Sequence, residues 1–207
     1  MAHQFTLYGR QASGSLAVQV ALEEAGVQYE RIWVSKEPAD VERLKRVNIT
    51  GKVPALKLPD GSVMIESAAM LIYLAQQFPG KVGPAPQGNG YAPFLQWMVY
   101  LTANVYESAL RMYYPARYSS RGEVDAEAVQ TQATHDFTAH LKFVSQALNP
   151  YLLGAEYSIA DAYLYMLATW HRGDIEALFK EIPALGKLAA LVKKRPAVAR
   201  VEADHGQ

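Results

Sequence analysis

Asn48-Ile49-Thr50-Gly51-Lys52-Val53-Pro54-Ala55-Leu56-Lys57-Leu58-Pro59-Asp60-Gly61-Ser62-Val63-Met64-Ile65-Glu66-Ser67 runs directly into the apolar segment Ala68 to Leu74. Val53 to Leu58 has the composition of a strand and Val63 to Ile65 that of its hairpin partner, with Asp60-Gly61 supplying the turn. Pro54 cannot donate to a ladder, so it belongs at the start or edge of its strand. A cis bond there, disfavoured before proline by only ~0.5–1 kcal/mol, turns the Val53 N–H and C=O outward, where an extended peptide could pair with them. Ser67 reads as the N-cap of the helix that follows, whose free N–H groups and positive end suit a carboxylate. The stretch is expected to be half of a peptide-clasping site.

Upstream, Phe5 to Tyr8 reads as a strand, Gly9 to Gly14 as a loop, and Leu16 to Ala25 as a helix that stops at Gly26. Val27 to Val34 then reads as a strand and Ala39 to Val47 as a charged helix turning Val41, Leu44 and Val47 inward. The order is β-α-β-α-β-β-α. From Pro79 to Pro93 the composition shifts to Pro, Gly and Asn, which reads as a linker. Beyond it everything is expected to be helical: Tyr91 to Tyr114, Glu123 to Leu148, Ile159 to His171, Asp174 to Lys180 and Pro183 to Lys194. Ser158-Ile159-Ala160-Asp161 has the spacing of a capping box, with Tyr157 as a hydrophobic staple, so Asp161 is expected to start a buried helix rather than to act on a ligand.

The clasp residues, taken in order, resemble the glutathione-site motif of the cytosolic glutathione transferase family, and the β-α-β-α-β-β-α order extends that resemblance from Phe5 to Phe78. The resemblance implies a thioredoxin-like amino-terminal domain over 1–78, a linker over 79–93 and an all-α carboxy-terminal domain over 94–207. It also implies that glutathione is bound as co-substrate, with Val53 pairing the cysteinyl backbone, Pro54 cis, and Glu66 and Ser67 holding the γ-glutamyl end. Lys52 and Lys36 are candidates for the glycine carboxylate. The family pairs subunits, so a homodimer is expected, with the Ser67 to Phe78 helix offering a face.

Leu7-Tyr8 through Ser15-Leu16-Ala17, and Gln96-Trp97-Met98-Val99-Tyr100, look most like the bacterial beta-type branch. In that alignment Gly14 stands at the branch's Cys, Val99 at its glutathione-binding Asn and Tyr106 at its active-site His. With three polar positions changed, that branch's catalytic assignments do not carry over. A glutathione thiol with a reference pKa near ~8.5 is only a few per cent ionised at neutral pH, so the protein must stabilise the thiolate. A hydroxyl donor and a helix N-terminus both do so without competing as a base. Ser13 and Ser15 are the expected pair, each also able to serve as a plain helix-start residue, and Tyr8 is a third hydroxyl. Tyr106, Arg111 and Tyr114, on one helix, could line a pocket for a small hydrophobic electrophile, or simply pack on neighbouring helices.

The 207 residues carry no cysteine, 20 basic and 20 acidic side chains, and 50% hydrophobic composition. The chain is long enough for a large core, and mixed-disulfide chemistry through a protein thiol is excluded. The neutral balance offers no footprint for nucleic acid, and no run approaches the ~18 apolar residues that a membrane span requires. The start Met-Ala-His-Gln-Phe has no apolar leader, so a cytoplasmic location is expected. His135 and His140 are five apart, not the four that brings ligands together on one helical face, so no metal is expected. Conjugation of glutathione to electrophiles, a detoxifying chemistry, is the leading expectation. The alternatives are a non-catalytic glutathione- or ligand-binding protein and a glutathione-dependent isomerase or dehalogenase, which use the same thiolate.

Overall fold

Strand β1, Phe5–Gly9, lies inside a four-stranded sheet of order β2-β1-β3-β4, with β2 at Tyr29–Trp33, β3 at Ala55–Lys57 and β4 at Val63–Met64. β1 runs parallel to β2 and antiparallel to β3, and β3 pairs antiparallel with β4. Between the strands stand α1 (Ser15–Ala25) and α2 (Pro38–Lys45), and α3 (Ser67–Gln77) follows the hairpin. The expected β-α-β-α-β-β-α order is thus present, and the amino-terminal part is thioredoxin-like. The computed structural model describes residues 4–206; Met1 to His3, part of the start expected to carry no apolar leader, and Gln207 lie outside them.

β1 is covered on both faces, with Phe5, Thr6 and Leu7 all buried. Leu7 and Leu56 are fully buried, and so are Leu16, Val18, Val20 and Leu22 of α1 and Met70, Leu71 and Leu74 of α3. Each such side chain contributes roughly 1.5–3 kcal/mol by leaving water. Gly26 ends α1 in the left-handed conformation at φ 70°, with its N–H on Glu23 and Leu22 carbonyls, as expected of a C-terminal glycine. Ala68, Met70 and Leu71 are spent inside this unit. The outward face of α3 is left to Ala69, Ile72, Tyr73 and Gln76.

Two local expectations need correction. Ser67 is not the N-cap of α3: that place is taken by Glu66, at φ 69° and ψ 108°, and Ser67 is the buried first helical residue. The hairpin is also shorter than its composition suggests, because Leu58 N–H already bonds the Ser62 carbonyl at 2.8 Å and closes the turn.

The chain divides into two compact units, Met1–Tyr91 with Lys193–Gln207, and Ala92–Val192. The first therefore includes α10, Pro196–His205, a helix that the sequence reading did not mark. Ala197, Val198, Val201 and His205 are buried, and Arg195 clamps Glu24 of α1 through Nε at 2.6 Å and Nη2 at 3.0 Å.

The second unit is helical. α4 (Tyr91–Tyr100) leads through a π-helical turn, Leu101–Tyr106, into α5 (Glu107–Tyr113), which packs on α6 (Ala126–Ser145). α7, Ile159–Ala168, is buried along its whole length, and α8 (Ile175–Glu181) and α9 (Pro183–Lys193) complete the unit. The capping box forms at the start of α7: the Asp161 carboxylate accepts from Ser158 N–H at 2.8 Å, and also from Leu152 N–H at 2.8 Å. Burial pushes the Asp161 pKa up to about 6 even though these donors favour the carboxylate. Among the described residues, no helix is long and apolar enough to cross a membrane.

Candidate active site

One end of the sheet collects the clasp residues. β3 begins at Ala55, paired with Tyr8, directly after Val53 and Pro54, and β4 ends at Met64, paired with Leu56, just before the chain passes through Glu66 into α3 at Ser67. The Val53–Pro54 peptide is cis, and Pro54 is buried just ahead of β3. A residue that sequence reasoning passed over holds this corner. Buried Asn48 donates from Nδ2 to the Lys52 carbonyl at 2.8 Å, and its Oδ1 accepts from Thr50 N–H at 3.1 Å and Thr50 Oγ1 at 2.8 Å. An amide that satisfies both ends of a tight turn fixes the backbone leading into Val53, and the polarity of Asn48 beside Gly51 was the available signal.

Glu66 follows the hairpin with an exposed side chain and a positive φ, an unfavourable backbone for a residue with a Cβ and one that clusters at active sites, ligand clamps and switch regions. It delivers α3 so that the first-turn N–H groups, which have no carbonyl of their own helix to bond, emerge beside it. Lys52 and Lys36 are both exposed.

The two serines lie in a closed hydrogen-bond cluster. Ser13 Oγ donates to the Arg10 carbonyl at 2.7 Å and Ser15 Oγ donates to the same carbonyl at 2.9 Å, with the two hydroxyls 2.9 Å apart. Arg10 N–H returns a bond to Ser15 Oγ at 3.1 Å. Ser15 is fully buried, whereas Ser13 is half-buried. Gly14, with helical φ and ψ, precedes α1 and offers no side chain to cap it. Gly9 makes room for the cluster, since a Cβ there would stand 2.9 Å from Ser15 Oγ. Tyr8 lines a cavity of about 240 Å³ with Ile32, Trp33, Val34, Asp40, Arg43 and Leu44.

In the helical unit, Tyr106 sits at the end of the π-helical turn and meets Trp170 edge-on at 5.1 Å and Tyr163 at 6.3 Å. Arg111 pairs with Glu107 at 3.5 Å and lies 5.4 Å over the Tyr118 ring, while Arg117 lies 4.1 Å over Tyr114. The three expected pocket residues therefore have separate partners. Among the described residues, no three of His, Asp or Glu gather as a metal site.

Residues 15–77 match the family model described as glutathione S-transferase, N-terminal domain, and residues 104–204 match the one described as glutathione S-transferase, C-terminal domain. The chain is 26% identical over 171 residues to glutathione S-transferase GstA of Escherichia coli O157:H7, covering 79% of this chain and 81% of GstA. It is also 26% identical over 201 residues to the uncharacterised GST-like protein YncG of Escherichia coli K12, covering 91% of this chain and 97% of that one. A glutathione transferase homologue from Sulfitobacter, crystallised with bound glutathione, superposes with a TM-score of 0.86 at 26% identity, over 98% of each chain. With two domain models matched in order along a fold of the expected class, the chain belongs to the glutathione S-transferase family.

Proposed function

We propose that this protein binds glutathione at the sheet end built by Val53, Glu66 and Ser67, and transfers it to small hydrophobic electrophiles. The observation that carries the reading is the meeting, at one end of the sheet, of the segment that enters β3 through Val53 and the segment that leaves β4 for the start of α3 at Glu66 and Ser67. The Val53 backbone takes the cysteinyl unit of the tripeptide beside the cis Pro54, Glu66 and Ser67 hold the γ-glutamyl end, and Lys52, with Lys36, meets the glycine carboxylate. The related Sulfitobacter protein that binds glutathione supports this assignment.

Ser13 and Ser15, together with the α1 N-terminus, stabilise the thiolate. Both hydroxyls donate to one carbonyl, where a single donor suffices, so one proton can be redirected. Ser13, the more accessible, turns its hydroxyl to sulfur while Ser15 keeps the Arg10 carbonyl. Tyr8 is the third choice, given its place in the cavity that it shares with Trp33. Tyr106, Arg111 and Tyr114 are the proposed electrophile contacts, Tyr106 first, because Arg111 and Tyr114 already hold Glu107 and Arg117. The division into 1–78, 79–93 and 94–207 remains our functional division. We further propose a cytoplasmic homodimer in a detoxifying role, without a metal and without nucleic-acid or membrane partners. Val63 and Ile65, exposed at the hairpin, are the apolar side chains offered for pairing.

A second reading, a non-catalytic glutathione- or ligand-binding protein, is favoured by the same serine cluster, since hydroxyls bonded to the backbone need not face a thiol. Isomerase and dehalogenase chemistry use the same thiolate, so a lowered thiol pKa is expected of them too. The deciding measurement is the ultraviolet absorbance of the thiolate of bound glutathione against pH. A pKa well below the free value supports catalysis, an unshifted one supports binding alone, and no binding by calorimetry refutes both.

A further inference from the structure

The last turn of α10 holds the serine loop. Gln11, inside the Gly9 to Gly14 loop, donates from Nε2 to the Asp204 carbonyl at 3.3 Å. The Asp204 carboxylate accepts from Gln19 Nε2 at 2.8 Å and pairs with Arg31. Gln19 lies one turn along α1 from Ser15, on the same face, and both are fully buried. Arg31 in turn lies 4.6 Å over the Trp33 ring, and a Cβ on Gly9 would stand 3.4 Å from Trp33 Cζ3, so this ring abuts the other end of the loop. One residue of α10 thus reaches the loop, the helix that follows it and the strand beside it.

The loop needs such a brace. Ala12 stands at φ 50°, a left-handed backbone that a residue with a Cβ keeps only when its surroundings impose it. From within, Ser13 Oγ bonds the Arg10 carbonyl across that residue. From outside, α10 takes the exposed Gln11 next to it. Resting on the assignment of the thiolate to Ser13 and Ser15, we propose that Asp204 is a positioning residue for that chemistry. The end of α10 fixes the strained loop through Gln11 and Gln19, so that the Ser13 hydroxyl stays where it can turn to sulfur. Asp204 itself touches no part of the tripeptide in this arrangement, and docking of α10 is coupled to ionisation of the thiol.

Three variants are compared with the parent at a temperature where circular dichroism shows all four folded. Asp204→Ala removes the carboxylate, Asp204→Asn keeps an acceptor oxygen for Gln19, and Gln11→Leu cuts the direct tie at an exposed position. Hydrogen exchange is expected to quicken about tenfold in Asp204→Ala and Gln11→Leu at the N–H groups of Arg10, Ser15 and Leu16, which bond within the loop. Leu58 N–H, in the hairpin turn, is expected to exchange as in the parent. Thiolate absorbance against pH is expected to show the bound thiol raised by about one unit in the same two variants, with Asp204→Asn closer to the parent. S-methylglutathione, which has no ionisable thiol, is expected to bind all four alike. Loop amides that exchange as in the parent, or a thiol that titrates as in the parent although the loop has loosened, would overturn the proposal while the clasp stands. So would a loss of S-methylglutathione binding that matches the loss of glutathione. A parent that binds no glutathione, or binds it with an unshifted thiol, refutes the transferase reading and the proposal with it.

Discussion

The hydroxyls of Ser13 and Ser15 lie 2.9 Å apart and share the carbonyl of Arg10 as their acceptor. Their surroundings make them unequal. Ser15, fully buried, also accepts from Arg10 N–H, so Ser15→Ala strands a donor and is expected to cost about 1–3 kcal/mol in urea unfolding. Ser13→Ala removes a half-buried donor whose acceptor keeps another bond, and is expected to cost about 0.5–1.5 kcal/mol. For the bound thiol the order reverses. Ser13→Ala is expected to raise its pKa by roughly one unit, the equivalent of one modest hydrogen bond, and Ser15→Ala by less. A double mutant that titrates like the parent would remove the hydroxyls from the chemistry.

Asn48 provides a test of the clasp that touches no proposed ligand contact. Asn48→Ala frees the Lys52 carbonyl and both Thr50 donors. The expected outcome is a loss of about 1–3 kcal/mol of stability from the unsatisfied groups, together with weaker glutathione binding through a loosened Val53. Calorimetry under conditions where the variant is fully folded separates the two effects. Unaltered affinity there would mean that the Asn48 turn does not set the Val53 backbone.

What was legible in the sequence was what local rules control. Gly26 ends α1 because only its own φ is in question, Pro54 precedes its strand because it has no N–H, and Ser158 and Asp161 satisfy each other within one turn. Ser67 was misread as a cap because the positive φ of Glu66 is imposed by the hairpin and helix around it, against the preference of the residue itself. The π-helical turn at Leu101–Tyr106 was invisible because its apolar spacing passes for ordinary helix. Arg10 belongs to no motif; only the serine hydroxyls at its carbonyl and the carbonyls of Val34 and Ser35 at its side chain give it a structural role.

Helix α10 was overlooked for a related reason, since its partners Glu23 and Glu24 lie at the other end of the chain. Pro196 at the first helical turn, followed by Ala197, Val198 and Val201, was the available signal. Arg195→Ala leaves the Glu24 carboxylate, which is mostly buried, without its two donors. A loss of about 3 kcal/mol is expected, at the lower end for breaking a buried pair. Removal of residues 195–207 is expected to lower the melting temperature further, by uncovering α1. A truncated chain that melts with the parent would show that α10 does not support the sheet unit.

The last prediction concerns pH and His205. Gln19 donates from Nε2 to Asp204 at 2.8 Å, so its Oε1, 3.1 Å from His205 Nε2, acts as acceptor and His205 carries its proton on Nε2. Nδ1 is then bare, buried and without a partner. Protonating it would place an N–H in an apolar setting beside the Trp33 ring, which meets the imidazole edge-on at 5.0 Å. Burial first, and then the charge of Arg31, lower the His205 pKa to about 4, with Asp204 partly opposing them. In the unfolded chain the value is near ~6.5, so between these limits the unfolded state binds the extra proton and stability rises with pH. The contribution is complete above about 6.5 and is lost as pH falls through about 4, up to roughly 3 kcal/mol in all. Asp161 works the other way, because its raised pKa makes the folded state the proton binder and its contribution falls as pH climbs through about 6. The two slopes would obscure each other in a single protein. His205→Phe keeps a ring against Trp33 and leaves Asp161 untouched, so the stability difference between parent and variant isolates the histidine. That difference, from urea unfolding, is expected to grow in the parent's favour from pH 4 to pH 6.5, and a flat difference would mean that His205 is protonated in the folded protein.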